Sequence, residues 1–252
     1  MESRQPFYKH IPNILTLINL CCGFLSIISI FYRNLEGAAL FIVIASVFDL
    51  LDGFTARLLN ATSESGKVLD SLADVVSFGV APAALIFIII EYSLIRSNID
   101  FSFIDATFTD RLLLFSSAVL LVTAALRLTG FVLQKDSTTF KGLPTPAVAL
   151  FIAGLTFILT DPVTEKIAEW IMKLYLLIPV VLLLSFLMLS NIRFISLKFK
   201  QFDFQHNKIK YIFIAFSAVL LILLQKFGIS LIVITYIIIS VISHFVSKSS
   251  DI

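Results

Sequence analysis

Charge is scarce in this chain and cysteine nearly absent. Only 14% of the 252 residues are Asp, Glu, Lys or Arg, while 58% are hydrophobic. A water-soluble domain of this length needs far more polar side chains to cover its surface, so an ordinary soluble fold is excluded. The two cysteines, Cys21 and Cys22, are neighbours inside an apolar run. They cannot build a disulfide framework, and no zinc-type spacing is present. Three histidines, His10, His206 and His244, are too dispersed to form a ligand cluster. A net charge of +2 with no basic stripe argues against a nucleic-acid partner. An Ala-x-Ala-like cleavage site is also lacking after the first apolar run, which reads as a retained span rather than a signal peptide.

What the chain has instead is long apolar runs separated by short polar breaks. They predict an all-α, polytopic transmembrane bundle of about eight spans, near 14–32, 37–57, 68–90, 111–133, 144–160, 171–189, 209–225 and 228–246. These runs are apolar all round, whereas barrel strands alternate. Residues 1–13 read as a cytoplasmic or interfacial segment, 14–246 as one catalytic membrane domain and 247–252 as a tail. With a cytoplasmic N-terminus, thirteen of the Lys and Arg residues fall on that side and six on the other. That asymmetry predicts both termini inside. It also puts Glu36, Asp161 and Glu165 on the opposite side.

The informative stretch runs from Asp49 to Asp74. Asp49 and Asp52 are three apart and share one helix face; Asp70 and Asp74 are four apart and share another. One continuous helix would hold the outer pairs more than about 30 Å apart. A break between Asn60 and Gly66, rich in Ser and Thr, lets the two helices pair antiparallel and the four carboxylates converge. Four carboxylates in an apolar setting repel one another and resist desolvation, so a cation is expected among them. Hard oxygen ligands favour Mg²⁺, Mn²⁺ or Ca²⁺. Gly53, Ala56 and Gly66 keep the backbone open to close approach, and Arg57 is placed for a diphosphate oxygen. Buried aspartates also mark ion pathways, so an ion-coupled transporter is the non-enzymatic alternative.

The pattern Asp49-x-x-Asp52-Gly53-x-x-Ala56-Arg57, eight residues, then Gly66-x-x-x-Asp70-x-x-x-Asp74, resembles the signature of the CDP-alcohol phosphatidyltransferase family without departure. The resemblance implies that family's helical fold and a two-metal centre on Asp49, Asp52, Asp70 and Asp74, filled by Mg²⁺ or Mn²⁺. It implies a CDP-lipid site around Asp52, Gly53, Ala56, Arg57, Gly66 and Asp70. It also makes Asp74 the catalytic base for the incoming hydroxyl, and implies a homodimer in a cell inner membrane with the site facing the cytoplasm.

Further segments resemble the serine-using branch of that family. They are Pro12-Asn13-Ile-Leu-Thr16-Leu-Ile-Asn19, Phe140-Lys141-Gly142-Leu143-Pro144-Thr145-Pro146-Ala147 and Ser190-Asn191-Ile192-Arg193-Phe194. Ala124-Ala125-Leu126-Arg127 resembles a fourth element, but its continuation through Thr129 and Gly130 lacks that branch's second arginine and asparagine. By resemblance the substrates are CDP-diacylglycerol and L-serine. Glycerol 3-phosphate, inositol and choline stay open as acceptors. Arg127, Lys141, Ser190 and Arg193 are the candidates for serine or phosphate binding, although Ser190 and Asn191 also suit a helix end. Asn13, Thr16 and Asn19 share a helix face that suits either a donor pocket or helix–helix hydrogen bonds. The last two spans carry no recognisable motif.

Overall fold

The computed structural model describes residues 7–98, 101–133, 141–195 and 208–250. Residues 1–6 of the leading segment, together with Lys135, Phe140, Lys198, Lys200, His206, Asp251 and Ile252, lie outside the described residues. A turn of 3-10 helix, Phe7–His10, leads into α1 (Ile11–Phe31), with Pro12 in its first turn, where a missing N–H costs nothing. The Asn34 side chain caps α2 (Leu35–Leu58) by accepting from the Gly37 N–H. Ser63 caps α3 (Glu64–Asp74) in the same way through Gly66. The chain reverses between α2 and α3, with Asn60 at φ +48°. From α3 it runs without a break through a π-helical turn, Val75–Val80, into α4 (Ala81–Ser97). Then come α5 (Phe108–Phe115), α6 (Ala118–Leu133), α7 (Thr145–Thr160), α8 (Glu165–Ile171), α9 (Leu174–Leu189), α10 (Lys208–Leu224) and α11 (Gly228–Ser250).

The bundle is all-α and built to lie in a membrane. Among the described residues, five helical runs are long and apolar enough to cross one: Ile11–Phe31, Leu35–Leu58, Glu64–Ser97, Phe108–Gly130 and Tyr211–Val246. A sixth is reached if α7 and the Pro162–Ile171 stretch are taken together, though they meet at a bend of 86°. The predicted spans 144–160 and 171–189 correspond to α7 and α9, each of 16 residues and so not among these five. Asp161 ends α7, its carboxylate accepting from the Val163 N–H at 3.0 Å, and Pro162 turns the chain aside. The apolar remainder is the 16-residue α9, about 24 Å long and short of a 30 Å hydrocarbon core. The last run, Tyr211–Val246, folds back on itself. Gln225 takes φ +50° in the 3-10 turn Gln225–Phe227, and the rings of Phe213 and Tyr236 meet at 5.9 Å. On a straight helix those residues would stand about 35 Å apart, so α10 and α11 form an antiparallel hairpin.

α1 organises the core. Its buried stripe, Pro12, Thr16, Asn19, Gly23, Ser26 and Ile30, recurs every three or four residues. Both α2 and α3 pack on α1. The expected antiparallel pairing of α2 with α3 is thus corrected: α1 sits between them as a wedge. The wedge fits because Gly23 meets the π-turn, where a Cβ on Gly23 would lie 2.3 Å from Ser77 Oγ. Ser77 Oγ in turn donates to the Asn19 carbonyl at 3.0 Å. Behind it Phe78, Ile86, Ile89 and Ile152 are almost wholly buried. Outward-facing residues such as Phe31, Leu72, Phe186 and Ile222 are more than half exposed, which only a lipid environment tolerates in such number.

The two ends of the bundle differ in chemistry. At one end ion pairs stitch the helices together: Lys226 to Glu36 at 2.6 Å and to Asp161 at 3.1 Å, Arg33 to Glu91, and Arg96 to Glu169. The Val163 amide and then Lys226 hold the Asp161 carboxyl below the usual carboxylate range. Asp49 lies 13 positions after Glu36 on α2, about 20 Å towards the other end.

Candidate metal centre and substrate cradle

Asp49 and Asp52 project from the C-terminal half of α2, and Asp70 and Asp74 from α3. One carboxylate oxygen each from Asp49, Asp70 and Asp74 lies within 4.8 Å of the others. Asp52 stands apart from this trio. It is buried and accepts a hydrogen bond from Thr16 Oγ1 at 2.7 Å. The wedge helix thus serves both acidic faces, because Asn19 Nδ2 donates to Asp74 Oδ1 at 3.3 Å. Of the two readings open for the Asn13–Asn19 face, helix–helix hydrogen bonding is the one seen for Thr16 and Asn19.

The donor set fits a divalent cation. Three carboxylates offer oxygens within 4.8 Å of one another, and Asn19 Oδ1, fully buried beside Asp74, has no hydrogen-bond partner among the described residues. An unpaired buried carbonyl oxygen is costly in an apolar interior. Hard oxygens of this kind are what Mg²⁺ and Mn²⁺ take. Acids gathered at one end of two helices also differ from the charges spread through bilayer depth that transport requires.

The flanking positions divide by role. Among the described residues nothing lies within 4 Å of the place a Cβ on Gly53 would occupy, so the side of α2 next to Asp52 is open there. At Gly66 a Cβ would lie 2.9 Å from Ser63 Oγ and 3.2 Å from Asn13 Oδ1. Gly66 therefore admits the α3 cap and the start of α1. Ala56 is half-buried and Arg57 exposed at the last turn of α2.

Arg127 comes from α6 to lie within electrostatic reach of Asp74. Its Nη1 donates to Thr145 Oγ1 at 3.4 Å, while Nε is buried with no partner among the described residues. The other two cationic candidates meet through their backbones. Lys141 and Arg193 form an antiparallel bridge, the Gly142 N–H donates to the Ile192 carbonyl at 2.9 Å, and Leu143 N–H donates to the Leu187 carbonyl at 2.9 Å. Both cationic side chains are exposed there. Ser190 takes the helix-end role instead: its hydroxyl donates back to the Leu187 carbonyl at 2.9 Å, at the C-terminus of α9.

Sequence reasoning missed the contribution of α11. Tyr236, Ser240 and His244 contact the segment that carries Arg193. Their spacing of four along one face of a largely apolar helix was the available signal.

Comparison with known proteins points to one family. The chain is 35% identical over 150 residues to CDP-diacylglycerol–serine O-phosphatidyltransferase of Bacillus subtilis, covering 59% of this chain and 76% of the relative. Archaetidylserine synthase of Methanothermobacter thermautotrophicus is 33% identical over 187 residues, 73% of this chain and 69% of the relative. For the Helicobacter pylori (strain 26695) CDP-diacylglycerol–serine O-phosphatidyltransferase the identity is 33% over 200 residues, 77% and 75% of the two chains. Residues 9–181, which hold the whole wedge and all four aspartates, match the CDP-alcohol phosphatidyltransferase family, and the chain belongs to it.

Proposed function

We propose that this protein transfers the phosphatidyl group of CDP-diacylglycerol to the hydroxyl of L-serine, forming phosphatidylserine and CMP. The observation that carries the reading is the convergence of Asp49, Asp70 and Asp74 against the polar face of α1. The acceptor is taken from relatives named for serine. Asp49, Asp70 and Asp74, with Asp52 alongside, would hold a divalent ion, which would supply charge neutralisation for the transferred phosphoryl oxygens.

The chain's own groups supply the remainder. Asp74 accepts the proton of the serine hydroxyl as its oxygen bonds to phosphorus. The phosphorus–oxygen bond to CMP breaks, and CMP leaves with the electron pair. Asp52, Gly53, Ala56, Arg57, Gly66 and Asp70 surround the cytidine diphosphate. The open side of Gly53 gives the donor room beside Asp52. Arg127, Lys141 and Arg193 meet the serine carboxylate or the donor phosphates.

The same reading takes α7 to α11 with the earlier runs as eight spans of one membrane domain, 14–246, with both termini and the site on the cytoplasmic face. The asymmetry of basic residues supports that orientation. A homodimer in a cell inner membrane completes it.

In detergent-purified protein supplied with CDP-diacylglycerol, serine is expected to drive CMP release and phosphatidylserine formation, and glycerol 3-phosphate and myo-inositol are not. EDTA should stop the reaction and added Mg²⁺ or Mn²⁺ restore it. Undiminished CMP release in excess EDTA would contradict the metal role, and turnover with another alcohol alone would contradict the acceptor.

Thr16→Val tests the hold on Asp52. Hydrogen bonds to a charged group contribute about 1.5–3 kcal/mol, so kcat/KM for the donor is expected to fall roughly tenfold to a hundredfold, with serine KM unchanged. An unaltered donor kcat/KM would place Asp52 outside donor binding.

A further inference from the structure

Three polar side chains recur at every fourth position of α11: Tyr236, Ser240 and His244. That interval keeps them on one helical face. All three meet the main chain of the segment leaving α9. The Tyr236 hydroxyl donates to the Ile195 carbonyl at 3.0 Å, and the Ile195 N–H donates to Ser240 Oγ at 3.3 Å. Two residues earlier, the Arg193 N–H donates to His244 Nδ1 at 3.5 Å. Phe194, between these contacts, packs its ring on Tyr236 at 5.9 Å, and Phe213 of α10 braces Tyr236 at the same distance. Tyr236 is buried and Ser240 wholly so.

The 193–195 segment is not helical, so its amides and carbonyls need partners from elsewhere in an apolar bundle. α11 supplies them on one side. On the other side the segment pairs with Lys141 and Gly142. Tyr236 also lies within electrostatic reach of Arg127. One helix face therefore contacts the backbone at Arg193, reaches Lys141 through one bridge and lies within electrostatic reach of Arg127, the three cationic residues assigned above to the carboxylate or the phosphates. This face lies beyond residue 181, where the family match ends.

We infer that the α10–α11 hairpin is a positioning element for an oxyanion site: the Tyr236–Ser240–His244 stripe holds Arg193 and, through the backbone bridge, Lys141, beside Arg127. The oxyanion is the carboxylate of the acceptor or a phosphate of the donor. The three stripe residues touch no reacting atom and act only through the cations they place. This inference rests on the phosphatidyl-transfer reading for its ligand but not for its geometry.

Tyr236→Phe and Ser240→Ala, made in the full-length protein, test it by two readouts. Tyr236→Phe keeps the ring contacts with Phe194 and Phe213, so folding is preserved. Amide hydrogen exchange over 193–195 is expected to quicken about fivefold or more for each lost hydrogen bond of about 1 kcal/mol, with α1–α3 unchanged. In kinetics, serine KM should rise by a similar factor while kcat at saturation stays within about twofold and donor KM holds. A rise in donor KM in place of serine KM supports the positioning role and assigns the oxyanion to the donor phosphate. Unchanged exchange over 193–195 with both KM values unchanged overturns the inference. If the unmodified protein releases no CMP with serine while the variants still loosen 193–195, the acceptor reading fails and the positioning role stands.

Discussion

Asp74→Asn is expected to lower serine-dependent CMP release by about 10³-fold or more, since general-base removal alone costs roughly 10²–10⁴ and a metal oxygen is lost with it. Asn keeps the shape and the ability to accept from Asn19 Nδ2, so the loss reports chemistry rather than packing. The stability readout should move the other way. Oxygens of Asp49, Asp70 and Asp74 lie within 4.8 Å, and an ionised pair at that distance repels by roughly 3 kcal/mol at an effective dielectric constant near 20. Metal-free Asp74→Asn protein is therefore expected to melt no lower than the unmodified metal-free protein. Its gain in melting temperature on adding Mn²⁺ should shrink, because one ligand is gone. Near-normal turnover by a folded, monodisperse variant would remove Asp74 from the reaction.

The second large effect is far from the aspartates. Gly142 has φ +78°, and a Cβ there would lie 2.1 Å from the Met188 carbonyl oxygen. Gly142→Ala must pay about 1–2 kcal/mol for the left-handed conformation and also push the backbone off α9. That displacement breaks the Gly142-to-Ile192 hydrogen bond and the register of Lys141 against Arg193. Misplacement by 1 Å costs about a hundredfold in rate, so serine-dependent kcat/KM should fall by about that factor. The melting temperature should fall as well. Gly130→Ala is the control: nothing among the described residues lies within 4 Å of its Cβ position, and alanine improves helix propensity by about 1 kcal/mol. It is expected to be neutral or mildly stabilising. Equal behaviour of the two variants would show that the Lys141–Arg193 pairing has no part in activity.

Much of the molecule was legible in its residues because the signals are local. Hydropathy is a property of each side chain, so the first four membrane runs can be read off by length. The three- and four-residue spacing of the aspartates already puts each pair on one helix face, and Asn60 to Gly66 marks the reversal between α2 and α3. What sequence reasoning placed wrongly was relational. It paired α2 with α3, whereas Gly23 lets α1 press against Ser77 and enter between them. It also gave no sign of the 86° bend that follows α7. Nor did it give α11 a role.

These failures share a cause. In a bilayer an apolar side chain gains little by exchanging lipid for a neighbouring helix, so hydropathy does not say which faces meet. Small residues that permit close approach and polar groups that must find partners make that choice. The residues by themselves determined that this is a helical membrane protein with a paired-aspartate motif. Only the tertiary structure decided that Thr16 and Asn19 would serve the acids, that Lys141 would pair with Arg193 across some fifty residues, and that α11 would hold them. Each is a contact between distant segments, set by where buried polar groups could be satisfied.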